Sequence, residues 1–131
     1  MIRLPRTGDS PLALPDTAEL IAETSTDTRD GFRYHEIRVY RIGDRLAAHI
    51  GYRTRWDGEV GHDTAEVLGG PQELRELLLG YNPLAWYVGP PDGVKRGRER
   101  REAEMRALRL RWEHAVSVVL ERWPEVVEAA G

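Results

Sequence analysis

Two short turns, Gly43-Asp44 and Asp57-Gly58, constrain this chain more than any other feature. Gly and Asp tolerate the positive φ that a two-residue hairpin turn requires. Both pairs lie between segments of alternating polarity, the pattern of strands that run up to a turn. A turn at Gly43-Asp44 sets Ile42 opposite Arg45, and so Val39 opposite Ala48 and Ile37 opposite Ile50. A turn at Asp57-Gly58 sets Trp56 opposite Glu59, and so Ile50 opposite Ala65 and Ala48 opposite Val67. Taken together, the turns collect Ile37, Val39, Leu46, Ala48, Ile50, Tyr52, Ala65 and Val67 on one face. A slip of one residue would send half of them to the other side.

The opposite face follows by subtraction. Its expected cross-strand rows are Arg38, His49 and Glu66, then Glu36, Gly51 and Thr64, then Tyr34, Arg53 and His62. Tyr40, Arg55 and Val60 lie toward its edges. Gly51 leaves a shallow dent between the rows. Directly opposed side chains are close enough to pair, so Arg38 and Glu66 would compensate each other around His49.

The remaining elements can be placed around these strands. Residues 1–15 hold Pro5, Pro11 and Pro15 with little periodicity and read as an extended arm. Residues 16–31 admit two readings. Asp16-Thr17-Ala18-Glu19 resembles a helix capping box, whereas 18–25 reads as a strand turning through Thr28-Arg29-Asp30-Gly31 into the next one. The direct lead into the meander favours the strand. Strands follow at about 33–42, 45–56 and 59–68. Pro71 suits the first position of a helix over 71–80, with Leu74, Leu77 and Leu78 as its buried stripe. Gly80 is placed to cap that helix, with Tyr81 closing the apolar contact. Residues 82–94 form an apolar loop. A long helix over about 97–122 carries Met105, Leu108, Trp112, Val116, Val119 and Trp123 at helical spacing, and Pro124 cannot continue it. The expected fold is therefore α+β, in a single domain over 1–131. An antiparallel β-meander of three to four strands is packed on one face by a long C-terminal helix plus one short helix. Its other face is expected to meet solvent.

Composition narrows the function without assigning one. The chain has 131 residues and no cysteine, which removes disulfides, thiol nucleophiles and thiolate metal sites. No stretch is long and apolar enough to span a membrane, and no basic segment followed by an apolar one opens the chain. The cytoplasm is the expected location. Net charge is −3, but it is unevenly placed: net −3 over residues 1–31 and net +5 over 95–111. No cofactor motif, phosphate-binding glycine loop or metal-ligand spacing is present among His35, His49, His62 and His114. His49 beside a carboxylate can act as a base, but mid-sheet it reads more naturally as part of a register-fixing ladder. No catalytic motif is found, and a non-enzymatic binding module is expected.

Two interaction surfaces stand out. The loop residues Leu84, Trp86 and Tyr87 are candidates for protein contact, because Trp and Tyr are frequent interface anchors. Against this, Trp86 would plug the end of the core if it were buried. The partner would be an unidentified protein or a second copy. The alternative is nucleic acid, read by Tyr34, Arg38, Tyr40, Arg53 and Arg55 on the sheet together with Arg96, Arg98, Arg100 and Arg101 at the start of the long helix.

Overall fold

Gly43 (φ 61°) and Gly58 (φ 86°) both occupy the left-handed region that the hairpin turns demand. A computed structural model describes residues 1–28, 31–56, 58–89 and 95–122, without the side chains of Lys95, Arg96 and Arg122. The expected features at Arg29, Asp30, Asp57, residues 90–94, Trp123 and Pro124 lie outside the described residues.

Among the described residues, six strands and two helices follow in order. They are β1 (Ile2–Leu4), β2 (Leu12–Leu14), β3 (Glu19–Ser25), β4 (Arg33–Ile42), β5 (Arg45–Thr54), β6 (His62–Leu68), α1 (Pro71–Gly80) and α2 (Lys95–Arg122). Strands β3 to β6 form an antiparallel meander in sequence order, and β1 pairs with β2 in a separate two-stranded sheet. The fold is α+β, with a long C-terminal helix and a short one. Residues 18–25 are therefore strand rather than helix. A bulge interrupts β3 between Leu20 and Ala22.

The two hairpins do not share one phase. The β4–β5 ladder matches the sequence expectation residue for residue, with Ile42 opposite Arg45, Val39 opposite Ala48 and Ile37 opposite Ile50. The β5–β6 ladder is displaced by one: Ile50 faces Thr64, Ala48 faces Glu66 and Tyr52 faces His62. The turn itself stands where it was expected, since the Glu59 N–H donates to the Trp56 carbonyl at 3.3 Å. The extra residue is absorbed between turn and ladder. From Tyr52 to Trp56 there are three intervening residues, but from Glu59 to His62 only two, Val60 and Gly61. Gly61 makes this possible, because a Cβ there would lie 2.6 Å from the Tyr52 carbonyl oxygen. Ala65 and Val67 consequently leave the helix face, and Leu68 takes a core place opposite Leu46.

The helix face carries the main core. Ile37, Val39, Leu46, Ala48 and Ile50 pack against Leu74 and Leu78 of α1 and Trp112, Val116 and Val119 of α2. Helix α2 has 28 residues, so it is about 42 Å long and runs over β3 and β4. Helix α1 has Pro71 in its first turn, where a missing N–H costs nothing. It ends differently from the expectation: Gly80 is the last helical residue, and Tyr81 beyond it is extended at φ −69° rather than left-handed. Tyr81 nonetheless closes the apolar contact by packing on Trp112, ring centres 4.7 Å apart.

The other face is not bare. The segment expected to be an extended arm folds back as the β1–β2 hairpin and lays Leu4 and Leu14 on Ala47 and Ala65, with Tyr40 and Val67 at the margin. The Thr7 N–H donates to the Asp63 carbonyl at 2.9 Å, and the Asp63 N–H donates to Thr7 Oγ1 at 2.8 Å. The arm thus also satisfies part of the outer edge of β6, which would otherwise be an open template for pairing.

Candidate functional site

Under the β1–β2 hairpin, the expected row of Arg38, His49 and Glu66 does not form. Arg38 faces His49 across β4–β5, but the displaced register puts Ala65 on the far side. Glu66 is exposed on the other face, and Asp63 takes its role. Its Oδ1 lies 2.7 Å from His49 Nε2 and accepts from Arg53 Nη2 at 2.8 Å. The dent over Gly51 is filled by that same guanidinium, which lies 2.9 Å from where a Cβ would be. Burial works to raise the Asp63 pKa, but the bonds from Arg53 and His49 outweigh it and hold the carboxyl below its ordinary value. His49 is fully buried, so this cluster ties strand to strand and offers no open approach to a substrate.

The arginines expected to meet nucleic acid are held by carboxylates. Arg38 lies 3.8 Å from Glu23 and 3.6 Å from Glu36. Arg55 makes two bonds to Asp27, at 3.0 and 2.9 Å, and stacks over Tyr34 at 4.8 Å. Tyr40 is half-buried against the β1–β2 cluster. Arg98 and Arg100 are exposed on the first turns of α2, while Arg101 is half-buried and donates to the Val88 carbonyl. The Arg96 side chain lies outside the described residues.

The three loop candidates part company. Asn82 sets the local shape: its side chain accepts from the Leu84 N–H at 3.0 Å, and its carbonyl accepts from the Ala85 N–H at 3.2 Å. A second turn follows, with the Tyr87 N–H donating to the Leu84 carbonyl at 3.2 Å. Leu84 is half-buried against the Tyr52, Tyr87 and Leu108 cluster. Tyr87 faces inward, only 8% exposed, and its hydroxyl donates to Glu104 at 2.8 Å. Trp86 faces outward, 45% exposed. Its ring lies flat on His62, with centroids 3.7 Å apart and planes at 14°. His62 was expected on the opposite face beside Arg53; the register displacement turns it under Trp86. Partial burial lowers its pKa, which favours the neutral ring, against an upward pull from Asp63.

Two further buried groups lie on the helix face. Arg33 is only 8% exposed. It donates to both oxygens of Glu59 and to Glu104 at 2.6 Å, and its guanidinium lies 4.8 Å from the Tyr87 ring. His35 is fully buried among Tyr52, Tyr81 and Trp112. Burial pulls its pKa down to about 4; the Pro83 backbone opposes this, and the Arg111 charge adds to it. A signal for both existed. Arg33 and His35 share the odd-numbered phase of Ile37 and Val39, so strict alternation already puts them inside. No group of three metal-ligating side chains is found among the described residues. No protein-family model, no curated protein and no solved structure matches this chain.

Proposed function

We propose that the chain is a non-enzymatic binding module that acts through protein contacts, with Trp86 as its anchor and an apolar segment flanked by acidic residues as the partner's contribution. The observation that carries this reading is the exposed Trp86 ring held flat against His62. An aromatic side chain that is already immobilised loses little freedom on binding, which favours it as an anchor. Exposed Val88 lies beside it, and the bond from Arg101 brings the basic start of α2 next to the loop. That flank supports the choice of an acidic partner.

Nucleic acid is the second reading, and it draws on exposed Arg98 and Arg100. It has less support from the sheet, where Arg38, Arg53 and Arg55 already face carboxylates.

Selection from a library of displayed random peptides tests the first reading. Wild type should enrich peptides that pair an aromatic or aliphatic residue with Asp or Glu, and Trp86→Ala should lose that enrichment. Enrichment that survives Trp86→Ala, or no enriched sequence at all, would overturn it. A salt-sensitive anisotropy change with labelled oligonucleotides, lost in Arg98→Gln plus Arg100→Gln, would put nucleic acid in its place.

A further inference from the structure

Several arginines of this fold are matched with carboxylates: Arg33 with Glu59 and Glu104, Arg38 with Glu36, Arg41 with Glu19, Arg53 with Asp63, Arg55 with Asp27. Arg111 is not matched in this way. It is half-buried on the inner flank of α2, and no carboxylate among the described residues pairs with it. Its one hydrogen bond among the described residues is a long one, 3.4 Å from Nη2 to the Arg33 carbonyl. Its Nε is buried with no acceptor. A guanidinium has five donors in a planar fork, and a buried donor without an acceptor is costly.

Arg111 lines a groove of about 430 Å³ between α2 and the end of β3, within the size range of small-molecule sites, roughly 300–1,000 Å³. The strand wall carries the hydroxyls of Thr24, opposite Ile37 on the helix face, and of Thr26, with Thr28 beyond the strand; Ser25 also lines the groove but shares the outer phase of Glu36. Thr26 Oγ1 already accepts from the His35 N–H at 2.8 Å, and its own proton remains to be donated. The acid on that wall, Asp27, is engaged by Arg55, and the hydrogen bond from Arg55 lowers its pKa. His114 stands one turn along α2 from Arg111 and also lines the groove, and Leu110 and Val118 supply an apolar floor. Donors and one unmatched positive charge therefore converge there without a competing free carboxylate.

We propose that this groove is a binding site for a small phosphomonoester. The phosphoryl oxygens take the Arg111 fork and the hydroxyls of Thr24, Thr26 and Thr28, and an apolar body of modest size rests against Leu110 and Val118. A phosphoryl group accepts hydrogen bonds at three oxygens and matches an arginine in two-point geometry. The site is separate from the Trp86 surface, so either can fail without the other.

Titration of the full chain with phenyl phosphate tests the site, with benzyl alcohol and inorganic phosphate as the body and the head alone. In nitrogen-edited NMR spectra, phenyl phosphate should move the Arg111 Nε–H signal and the amides of 24–28, and saturate at millimolar concentration or below. Inorganic phosphate should move the same signals more weakly, and benzyl alcohol should leave them in place. Arg111→Gln should weaken binding by about tenfold or more, the scale of a charge-assisted bidentate contact. Arg111→Lys keeps the charge without the fork and should fall between the two. Arg109→Gln, at an exposed position on another flank of α2, should change nothing. Equal binding by folded Arg111→Gln or Arg111→Lys, shifts that avoid 24–28, or no saturation by about 20 mM, an affinity too weak for a built site, would each overturn the proposal.

Discussion

On the helix face of the sheet, Ile37, Val39, Leu46 and Ile50 are covered by two helices whose Leu74, Leu78, Trp112 and Val119 are almost wholly buried. On the opposite face, Leu4 and Leu14 cover only Ala47, Ala65 and their neighbours, and beside them lies the His49, Asp63 and Arg53 cluster. One sheet is thus closed by bulk apolar burial on one side and by a thin hairpin over a polar network on the other. Apolar burial scales with area, at roughly 25 cal/mol per Å², and does not depend on ionisation. The polar side depends on charge and on a few distances. The two faces should therefore answer differently to truncation and to pH.

The largest expected difference concerns truncation. Leu74→Ala opens a cavity between α1 and the sheet, and large-to-small changes at such sites cost about 2–5 kcal/mol. Leu14→Ala should cost less, because a three-residue strand in a two-stranded hairpin can give way without the meander following. Denaturant unfolding of both variants measures this, and equal losses would dissolve the distinction between the faces.

The helix face has one weakness of its own, buried His35. Its pKa is pulled from 6.5 to about 4 in the folded chain. Between those values the unfolded chain binds a proton that the folded chain does not, so stability falls as pH drops from 6.5 toward 4. The full effect is on the order of 3 kcal/mol. His35→Phe keeps an aromatic ring among Tyr52, Tyr81 and Trp112 and removes the titration. Its stability should be flatter than wild type across that window. His62 is shifted in the same direction and remains in both proteins, so the difference between them isolates His35. Identical pH profiles would show that His35 does not carry the effect.

How much of this was legible depends on where irregularity enters. The β4–β5 ladder runs without interruption from its turn, so turn chemistry and polarity together placed every pair in it. The β5–β6 ladder does not, because Gly61 lets the backbone pass close to the Tyr52 carbonyl and shed a residue. Nothing in the local polarity reveals that, since Ala65 and Val67 are apolar and fit a core on either face. The same slip hid Asp63 and brought Glu66 forward in its stead. The β1 and β2 segments, Ile-Arg-Leu and Leu-Ala-Leu, are too short to show a period. At the candidate site, the prominence of Trp86 was legible from residue type, but its seat on His62 depended on the register and was not. Arg33 and His35 were legible in phase, since both fall on the odd-numbered positions of β4 that Ile37 and Val39 share.

The polar face should respond next in size. Asp63→Asn keeps the shape of the side chain and removes the charge that Arg53 and His49 share. A lost hydrogen bond between charged groups costs about 1–3 kcal/mol. Because the Asp63 carboxyl titrates below its ordinary 3.8 in the folded chain, its contribution is present above that value and is lost as pH falls through the lower folded one. The gap between wild type and Asp63→Asn should therefore be full near neutral pH and close in strong acid. Amide exchange in β1 and β2 should quicken in the variant, since the Asp63 backbone both accepts from the Thr7 N–H and donates to Thr7 Oγ1. Unchanged exchange there would separate the hairpin from the cluster beneath it.

The smallest effects should come from two glycines that border the polar cluster. A Cβ at residue 61 would lie 2.6 Å from the Tyr52 carbonyl oxygen, whereas one at residue 51 would lie 2.9 Å from the tip of the Arg53 side chain. Backbone cannot step aside without moving the ladder, but a guanidinium can swing out into solvent. Gly61→Ala should therefore cost about 1–2 kcal/mol, the scale of overpacking, and disturb the pairing of Tyr52 with His62. That would in turn move His62 from under Trp86, so the exposed tryptophan should report the change by fluorescence. Gly51→Ala should cost less and act only through the displaced Arg53 and its bond to Asp63. If the two substitutions are equal in cost, or if Trp86 is blind to Gly61→Ala, then the displaced register does not depend on the missing side chain at residue 61. The phase of β6 would then be set from the Leu68 end of the strand, by its burial between the sheet and α1.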